Sequence, residues 1–142
     1  MDDAGRGALD DILGLRIRLA HGTVQRHFAE HCAHLGLTQK QVSVLWLVHD
    51  APGTTQTDVA RTLQMDRATT MAIVHALEKR GLLVRARAGS DARRIGFRLT
   101  QGGERMLEEA RVAIGEHEAW LKERFTAREL TTLSRLLERI YQ

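Results

Sequence analysis

The sequence has few of the features that mark disulfide-rich, disordered or membrane-spanning proteins, and this favours a globular protein of a reducing compartment. It has one cysteine, Cys32, so the chain cannot form an internal disulfide, and a reducing cytosol is the expected location. One proline among 142 residues, with 43% hydrophobic and 27% charged residues, indicates a helix-rich globular domain rather than a disordered chain. No apolar run approaches the roughly 20 residues that cross a bilayer. The acidic start MDDAGRGALDD also lacks the apolar core of a signal peptide, so we expect a cytoplasmic protein without membrane association.

Motifs of common enzyme classes are absent as well. The chain contains no glycine-rich phosphate loop, no Gly-x-Ser-x-Gly and no paired zinc motif. We find no internal repeat and no low-complexity segment, and the length fits one domain with one core. The sequence therefore predicts a single domain over residues 1–142 that is not an enzyme and has no cofactor.

Positive charge is concentrated in one part of the chain. The window from Arg61 to Thr100 holds nine Lys/Arg and three Asp/Glu, a net charge of +6, whereas the rest carries a net charge of −3. A basic patch on a mildly acidic body suggests a polyanionic partner. A solvated charged face has the same composition, so the interpretation depends on which elements carry the arginines.

Apolar spacing and capping signals predict the flanking helices. Residues 8–34 are predicted to form one long helix, since apolar residues recur there at helical spacing, and Gly36 is expected to end it. Thr38 with Gln41, and Thr126 with Glu129, have the spacing of a capping box at the start of a helix. A further long helix is predicted from residue 100 to about residue 124.

Two short helices are predicted between these segments. Thr55 with Asp58 begins the first, Asp66 caps the second, and about three residues separate them, which is the pattern of a helix-turn-helix. In the second helix we expect Met71, Val74 and Leu77 to face inward.

The segment LVRARAGSDARRIGFRLT, residues 83–100, predicts a β-hairpin whose arginines surround a Gly-Ser-Asp turn. The apolar positions of the alternating pattern are expected to face the core, with charge outward: Val84, Ala86, Ile95, Phe97 and Leu99. Arginines on such a hairpin suit the minor groove of DNA, where the negative potential is strongest. The predicted fold is mainly α with a small β-hairpin wing, in which a winged helix-turn-helix core at residues 38–100 lies between N- and C-terminal helices.

Two stretches resemble the MarR family of transcriptional regulators. DVARTLQMDRATTMAIVHALEKRGLLVR is similar to that family's helix-turn-helix, with its Leu-Glu-x-x-Gly ending, and SDARRIGFRLTQGG is similar to its Asp-x-Arg wing and Leu-Thr-x-x-Gly helix start. The order of elements matches over nearly the whole chain. The resemblance implies a homodimer that reads a pseudo-palindrome in double-stranded DNA, with residues 1–37 and 101–142 as dimerisation helices. In the alternative, the two terminal segments pack on each other in a monomer.

The resemblance also implies which residues contact DNA. Arg93 matches the family's wing arginine, Asp91 the acid that orients it, and Arg94 is expected to contact phosphate. The N-terminal residues of the recognition helix are expected to enter the major groove: Arg67, Ala68, Thr69 and Thr70. Gln56 and Thr57 are expected to contact backbone phosphate. The chain departs from the family at Ala72 and Ala92, where many members carry arginine or another charged residue. Base contacts from those two positions are therefore not expected.

Family members often bind small aromatic acids between the dimer frame and the DNA-binding core. Arg16 interrupts the apolar stripe of the first helix, and such a cation needs an anion nearby. A bidentate contact to a ligand carboxylate, with His21 and Trp46 completing the pocket, is one interpretation. An internal salt bridge from Arg16 is the other. Ligand binding would then release DNA by favouring a second conformation, as in a repressor.

Three alternatives concern the means of regulation or the partner. His27, His31 and His34 lie on one helix face beside Cys32, and two of them could share a metal ion with a carboxylate. Cys32 could respond to oxidation, although a lone thiol there is more often a small buried apolar group. A winged-helix module that binds protein instead of DNA is the third alternative, but it does not require arginines on the wing.

Overall fold

A computed structural model describes residues 5–87 and 94–142. The fold is mainly helical with one antiparallel hairpin, as the sequence predicts. Its elements in chain order are α1 (Leu13–His31), α2 (Gln39–Asp50), α3 (Gln56–Thr62), α4 (Arg67–Lys79), β1 (Leu83–Arg87), β2 (Ile95–Leu99), α5 (Gln101–Lys122) and α6 (Ala127–Tyr141). Short 3-10 helices add Gly7–Asp11 and Ala33–Leu35. Within the described ranges no helix is long and apolar enough to cross a membrane.

The chain divides into two compact units. The terminal unit comprises Met1–His31 and Ile114–Gln142, and the central unit comprises Cys32–Ala113. The central unit contains the helix-turn-helix and the hairpin. Its bounds are wider than the predicted core at residues 38–100, since the first half of α5 packs with it: Leu107 and Ala110 are buried there.

The capping residues are where the sequence places them. Thr38, Thr55 and Thr126 each form a capping box, in which the side chain accepts from the backbone N–H three residues later and the residue there accepts in return. Asp66 caps α4 through the backbone N–H of Thr69, at 2.7 Å. Each box satisfies backbone donors that the first helical turn leaves free, so the helix starts are fixed locally.

The first predicted helix is interrupted at both ends. Instead of one helix over residues 8–34, α1 is preceded by a 3-10 helix that ends at Asp11 and is followed by Ile12, whose backbone is extended (φ −86°, ψ 104°). A second 3-10 helix follows Cys32. Gly36 then ends this segment in the left-handed conformation (φ 63°), as expected for glycine at that position.

The hairpin faces differ from the prediction on β1. Leu83 pairs with Leu99 and Arg85 with Phe97, so these residues share one face. Leu83 and Phe97 are buried on it, whereas Val84 is 46% exposed, and Ile95 is exposed near the far end of the hairpin. The prediction that Val84 and Ala86 share the inner face with Phe97 is therefore wrong. The physical reason is that Arg85 lies over the Phe97 ring, 5.4 Å from its centre, so an arginine occupies the core-facing side of β1 that alternation had assigned to Val84 and Ala86. Ile95 lies on the face of Phe97, as predicted, but is exposed.

Candidate nucleic-acid interface

The helix-turn-helix is formed by α3 and α4 with a tight turn between them. Met65 N–H donates to the Ala60 carbonyl at 2.9 Å, and Gln64 in the turn has a positive φ of 51°. Val59, Val74 and Leu77 are buried, so apolar packing holds the two helices at a fixed angle. Met71 is 48% exposed, and the prediction that it faces inward is wrong. It lies on the outer face of α4, beside the residues expected to contact DNA.

One concave surface joins the two helices and the hairpin. It has a volume of about 600 Å³ and is lined by Gln56, Thr57, Ala60, Arg67, Thr70, Met71 and Arg85. Thr57 and Arg67 are exposed and Gln56 is half-buried, so their polar groups are accessible. Four residues that the sequence assigned to DNA binding, from two different helices, are thus brought to one surface. We call this surface the α3–α4 face.

Thr69 and Thr70 have different environments from those expected. Thr70 is buried, and its hydroxyl donates to the Asp66 carbonyl at 2.8 Å. The Thr69 hydroxyl donates to the Asp66 carboxylate at 2.9 Å. The geometry of Thr70 does not support a base contact, because its side chain already stabilises the first turn of α4. Ala68 is exposed at the helix start, in keeping with its predicted position.

Arg85 was not among the predicted contacts. Its Nε donates to the Glu78 carboxylate at 3.1 Å, and this pair places the guanidinium on the α3–α4 face. The sequence did contain an indication of this role, since Arg85 lies in the positively charged window from Arg61 to Thr100. Only the folded structure shows that it lines the same surface as α4.

The hairpin is tied to α3 by an ion pair. Asp58 accepts from Arg94 at 3.0 Å and from Arg61 at 2.7 Å. Hydrogen bonding with Thr55, and then the Arg94 guanidinium, lower the pKa of Asp58 to about 2. Arg94, predicted to contact phosphate, is thus held by a carboxylate while its side chain stays 55% exposed. The ion pair fixes where the β2 end of the hairpin lies relative to α3.

The hairpin is also tied to the loop before α3. Phe97 N–H donates to the Thr54 carbonyl and Gly53 N–H donates to the Phe97 carbonyl, both at 2.9 Å. Gly96 lies so close to the Gly53 carbonyl that any Cβ at position 96 would overlap it. A glycine is required here because two backbones meet directly. The predicted wing residues Asp91 and Arg93 lie outside the described residues, as does Ala92.

The three residues predicted to bind an effector are distributed over both units. Arg16 and His21, in the terminal unit, are exposed. Arg16 Nε donates to the Asp10 carbonyl at 2.8 Å, and no carboxylate of the described residues pairs with it. Trp46 in the central unit is half-buried, and the guanidinium of Arg111 lies over its ring, 4.9 Å from the centre.

The histidines predicted as possible metal ligands do not form a metal site. His27 and His31 approach His117 and Glu116 of α5, whereas His34 is exposed. No group of three or more His, Cys, Asp or Glu side chains in the described ranges could hold a metal ion. The Cys32 side chain is buried at 1% exposure, as expected of a small apolar residue.

These features define a winged helix-turn-helix protein: two short helices in a fixed turn, a basic hairpin tied to the first of them, and a shared polar face. A sequence profile of the MarR family matches residues 35–94. The transcriptional repressor CouR is 34% identical in its structure bound to a 23-mer DNA duplex, with a TM-score of 0.90 over 99% of this chain and all of that one. The chain belongs to the MarR family of transcriptional regulators, and the prediction that it is not an enzyme is confirmed by these relatives.

Other similar proteins are also described as transcriptional regulators or repressors. CouR bound to p-coumaroyl-CoA is 33% identical, with a TM-score of 0.89 and 98% of each chain covered. A probable transcriptional regulator from Pseudomonas aeruginosa is 31% identical, with a TM-score of 0.85 over 93% of this chain and 98% of that one. A putative transcriptional regulatory protein for the hcr operon of Thauera aromatica is 28% identical over 137 residues, covering 96% of this chain and 82% of that protein.

Proposed function

We propose that the protein is a cytoplasmic homodimeric repressor that binds a pseudo-palindromic operator and is released from it by a small aromatic effector. The α3–α4 face carries the DNA-binding part, since it presents Arg67, Gln56 and Thr57 on one accessible surface beside the exposed Met71. Arg67 at the start of the recognition helix is suited to guanine, and the start of α3 to backbone phosphate.

Homodimerisation is supported by the apolar surface that the terminal unit leaves exposed. One face of α6 carries Leu133, Leu137 and Ile140, exposed by 37%, 41% and 62%. Leu13 and Ile17 of α1 are exposed by 68% and 39%. A monomer seldom presents so many large apolar side chains together, and a second copy would cover them. Two copies would also supply the two recognition helices that a palindrome requires.

DNA binding is tested by fluorescence anisotropy of a labelled duplex from the region upstream of the protein's own gene, against a scrambled duplex. We expect selective binding. Substitution of Arg67 by Ala should weaken it by about 1–3 kcal/mol and relax the preference at one base pair. Arg128→Ala, at an exposed position of the terminal unit, is the control. Equal effects of the two substitutions would contradict the assignment of Arg67.

The effector we propose is an aromatic carboxylic acid or its coenzyme A thioester. CouR binds p-coumaroyl-CoA. In this chain, Trp46 offers an aromatic surface and Arg111 a cation beside it. Arg111 Nε is buried and has no hydrogen-bond partner among the described residues, and the Asp50 carboxylate is 3.8 Å from the guanidinium and 60% exposed. A buried N–H of this kind favours an additional acceptor, such as a carboxylate or phosphate oxygen.

Two substitutions distinguish Arg111 from Arg16 as the residue that binds the anion. Release of DNA is measured with p-coumarate, p-coumaroyl-CoA and coenzyme A alone, for Arg111→Gln and Arg16→Gln. If Arg111 binds the anion, its substitution should abolish release while DNA affinity without effector stays unchanged. Loss of release only in Arg16→Gln would support the original prediction for Arg16. The free acid and the coenzyme A arms show whether a carboxylate or a phosphate is recognised.

A further inference from the structure

Four ring side chains stack in the terminal unit, between α1 and the second half of α5. The His27 ring lies 3.7 Å from the Trp120 ring, with 4° between their planes. Its centre is 5.4 Å from that of His31 and 5.0 Å from that of His117. We call this set the histidine stack. None of its members belongs to the α3–α4 face or is used in the effector proposal.

The two helices are joined in the stack by one hydrogen bond between imidazoles. The Nδ1 atoms of His27 and His117 are 2.7 Å apart. One ring must donate and the other must accept, so a single proton lies between them. This arrangement is possible when both rings are neutral or when one is charged. When both are charged, two N–H groups face each other and the hydrogen bond is lost.

The surroundings disfavour charge on His117. Its side chain is only 3% exposed, and Phe28 meets its ring edge-on at 5.7 Å. Burial, and then the neighbouring His27 and His31, lower the pKa of His117, which Glu118 offsets only in part. Two other charged groups face the stack: Glu116, whose carboxylate lies 3.1 Å from His31 Nε2, and Arg124, whose guanidinium lies over Trp120. No acid of the described residues forms an ion pair with His27 or His117.

We propose that the contact between His27 and His117 makes the terminal unit sensitive to protons, so that its helices separate and DNA affinity falls at mildly acidic pH. The DNA part of this inference rests on the proposed function. The direction of the pH effect follows from proton linkage, because a histidine held neutral in the folded state stabilises the fold at pH values above its ordinary pKa. That contribution is lost as the pH falls below about 6.5 toward the lowered value.

The decisive variant is His117→Asn, because an amide can hydrogen-bond to His27 without taking up a proton. Thermal unfolding is measured at about pH 7.5 and about pH 5.5, the range in which histidine titrates, with EDTA present. The wild type should lose roughly 4 °C or more in Tm between the two pH values, and His117→Asn clearly less. His34→Asn, which removes an exposed histidine outside the stack, should behave as the wild type. Equal losses of Tm between the two pH values in the wild type and in His117→Asn would overturn the proposal.

Trp120 gives a local readout that a merely structural role of His117 would not affect. In a Trp46→Phe background Trp120 is the only tryptophan, and a charged imidazole in face contact quenches indole emission. We expect emission to fall as the pH is lowered, and the midpoint of this change to shift in His117→Asn, because that variant removes the imidazole whose protonation breaks the hydrogen bond to His27. An unshifted midpoint would show that the two rings titrate independently, which overturns the coupling.

The DNA consequence is measured separately by anisotropy at the same two pH values. The wild type should lose affinity at the lower pH by more than His117→Asn does. If the Tm response is present but the two proteins lose affinity equally, the stack affects stability alone and the DNA part is wrong. Absence of selective binding at about pH 7.5 would contradict the proposed function, while the unfolding data still decide the proton response.

Discussion

The two units of the chain differ in how completely each covers its own apolar side chains. In the central unit, side chains from every helix and from both strands are fully buried, among them Leu45, Leu77, Phe97 and Leu107. In the described part of the terminal unit the buried residues are Phe28 and His117, and most of the large apolar side chains are exposed. The comparison indicates that the central unit is stabilised by its own core, whereas the terminal unit needs a further surface to cover it.

The largest effect is expected in the core of the central unit. Leu77→Ala removes a fully buried side chain and should lower the free energy of unfolding by about 2–5 kcal/mol, by lost transfer energy and a residual cavity. Met71→Ala, two turns earlier in the same helix and 48% exposed, should cost less than about 1 kcal/mol. Urea denaturation at fixed protein concentration measures both. Similar costs at the two positions would show that α4 is not packed as described.

A smaller effect, of a different kind, is expected in the terminal unit. Leu137→Glu places a charge on the apolar face of α6 and should weaken self-association by about 2 kcal/mol or more, roughly 30-fold in Kd. Sedimentation across a range of protein concentrations measures it. Thr131→Glu, which helical spacing places on the opposite side of α6 from Leu133 and Ile140, is the control and should leave association nearly unchanged. Association that is insensitive to Leu137→Glu would mean that another surface forms the dimer.

The smallest effect concerns the ion pair between α3 and the hairpin. The pKa of Asp58 is lowered from 3.8 to about 2, so its contribution to stability is complete above pH 3.8 and is lost as the pH falls toward 2. The Arg94 and Arg61 side chains are more than half exposed, so we expect only about 1 kcal/mol. Unfolding measured from pH 5 to pH 2 should be less pH-dependent in Asp58→Asn than in the wild type, by about this amount. A profile as steep in Asp58→Asn as in the wild type would assign the acid response to other groups.

Sequence reasoning succeeded where the partners are close along the chain. A capping box joins residues three apart, so Thr38, Thr55 and Thr126 could be identified without knowledge of the fold. The order of helices and the hairpin followed from the same short-range signals. Gln56, Thr57 and Arg67 were predicted to contact DNA because the resemblance placed them at helix starts, and the structure brings them to one face.

The remaining features depend on partners far apart in sequence. His27 and His117 are 90 residues apart, and no periodicity connects them. The faces of β1 were wrongly predicted because Arg85 pairs with an aromatic ring on the opposite strand, which alternation of apolar and charged residues does not show. Met71 was predicted to be buried from its position in the helical pattern, but the α3–α4 face leaves it exposed.

The attachment of β2 to the segment around Gly53 and Thr54, and of Arg94 to Asp58, has a consequence for binding kinetics. These links hold the hairpin and α3 in a fixed relative position in the free protein. The two elements therefore do not need to be arranged on the duplex during binding. In the DNA complex that we propose, α4 in one groove would present β2 to the neighbouring groove at a high effective concentration, as the second arm of a chelating ligand is. The two contacts should therefore form as one event and dissociate as one. A substitution that cuts these links, such as Gly96→Ala, should act mainly by raising koff.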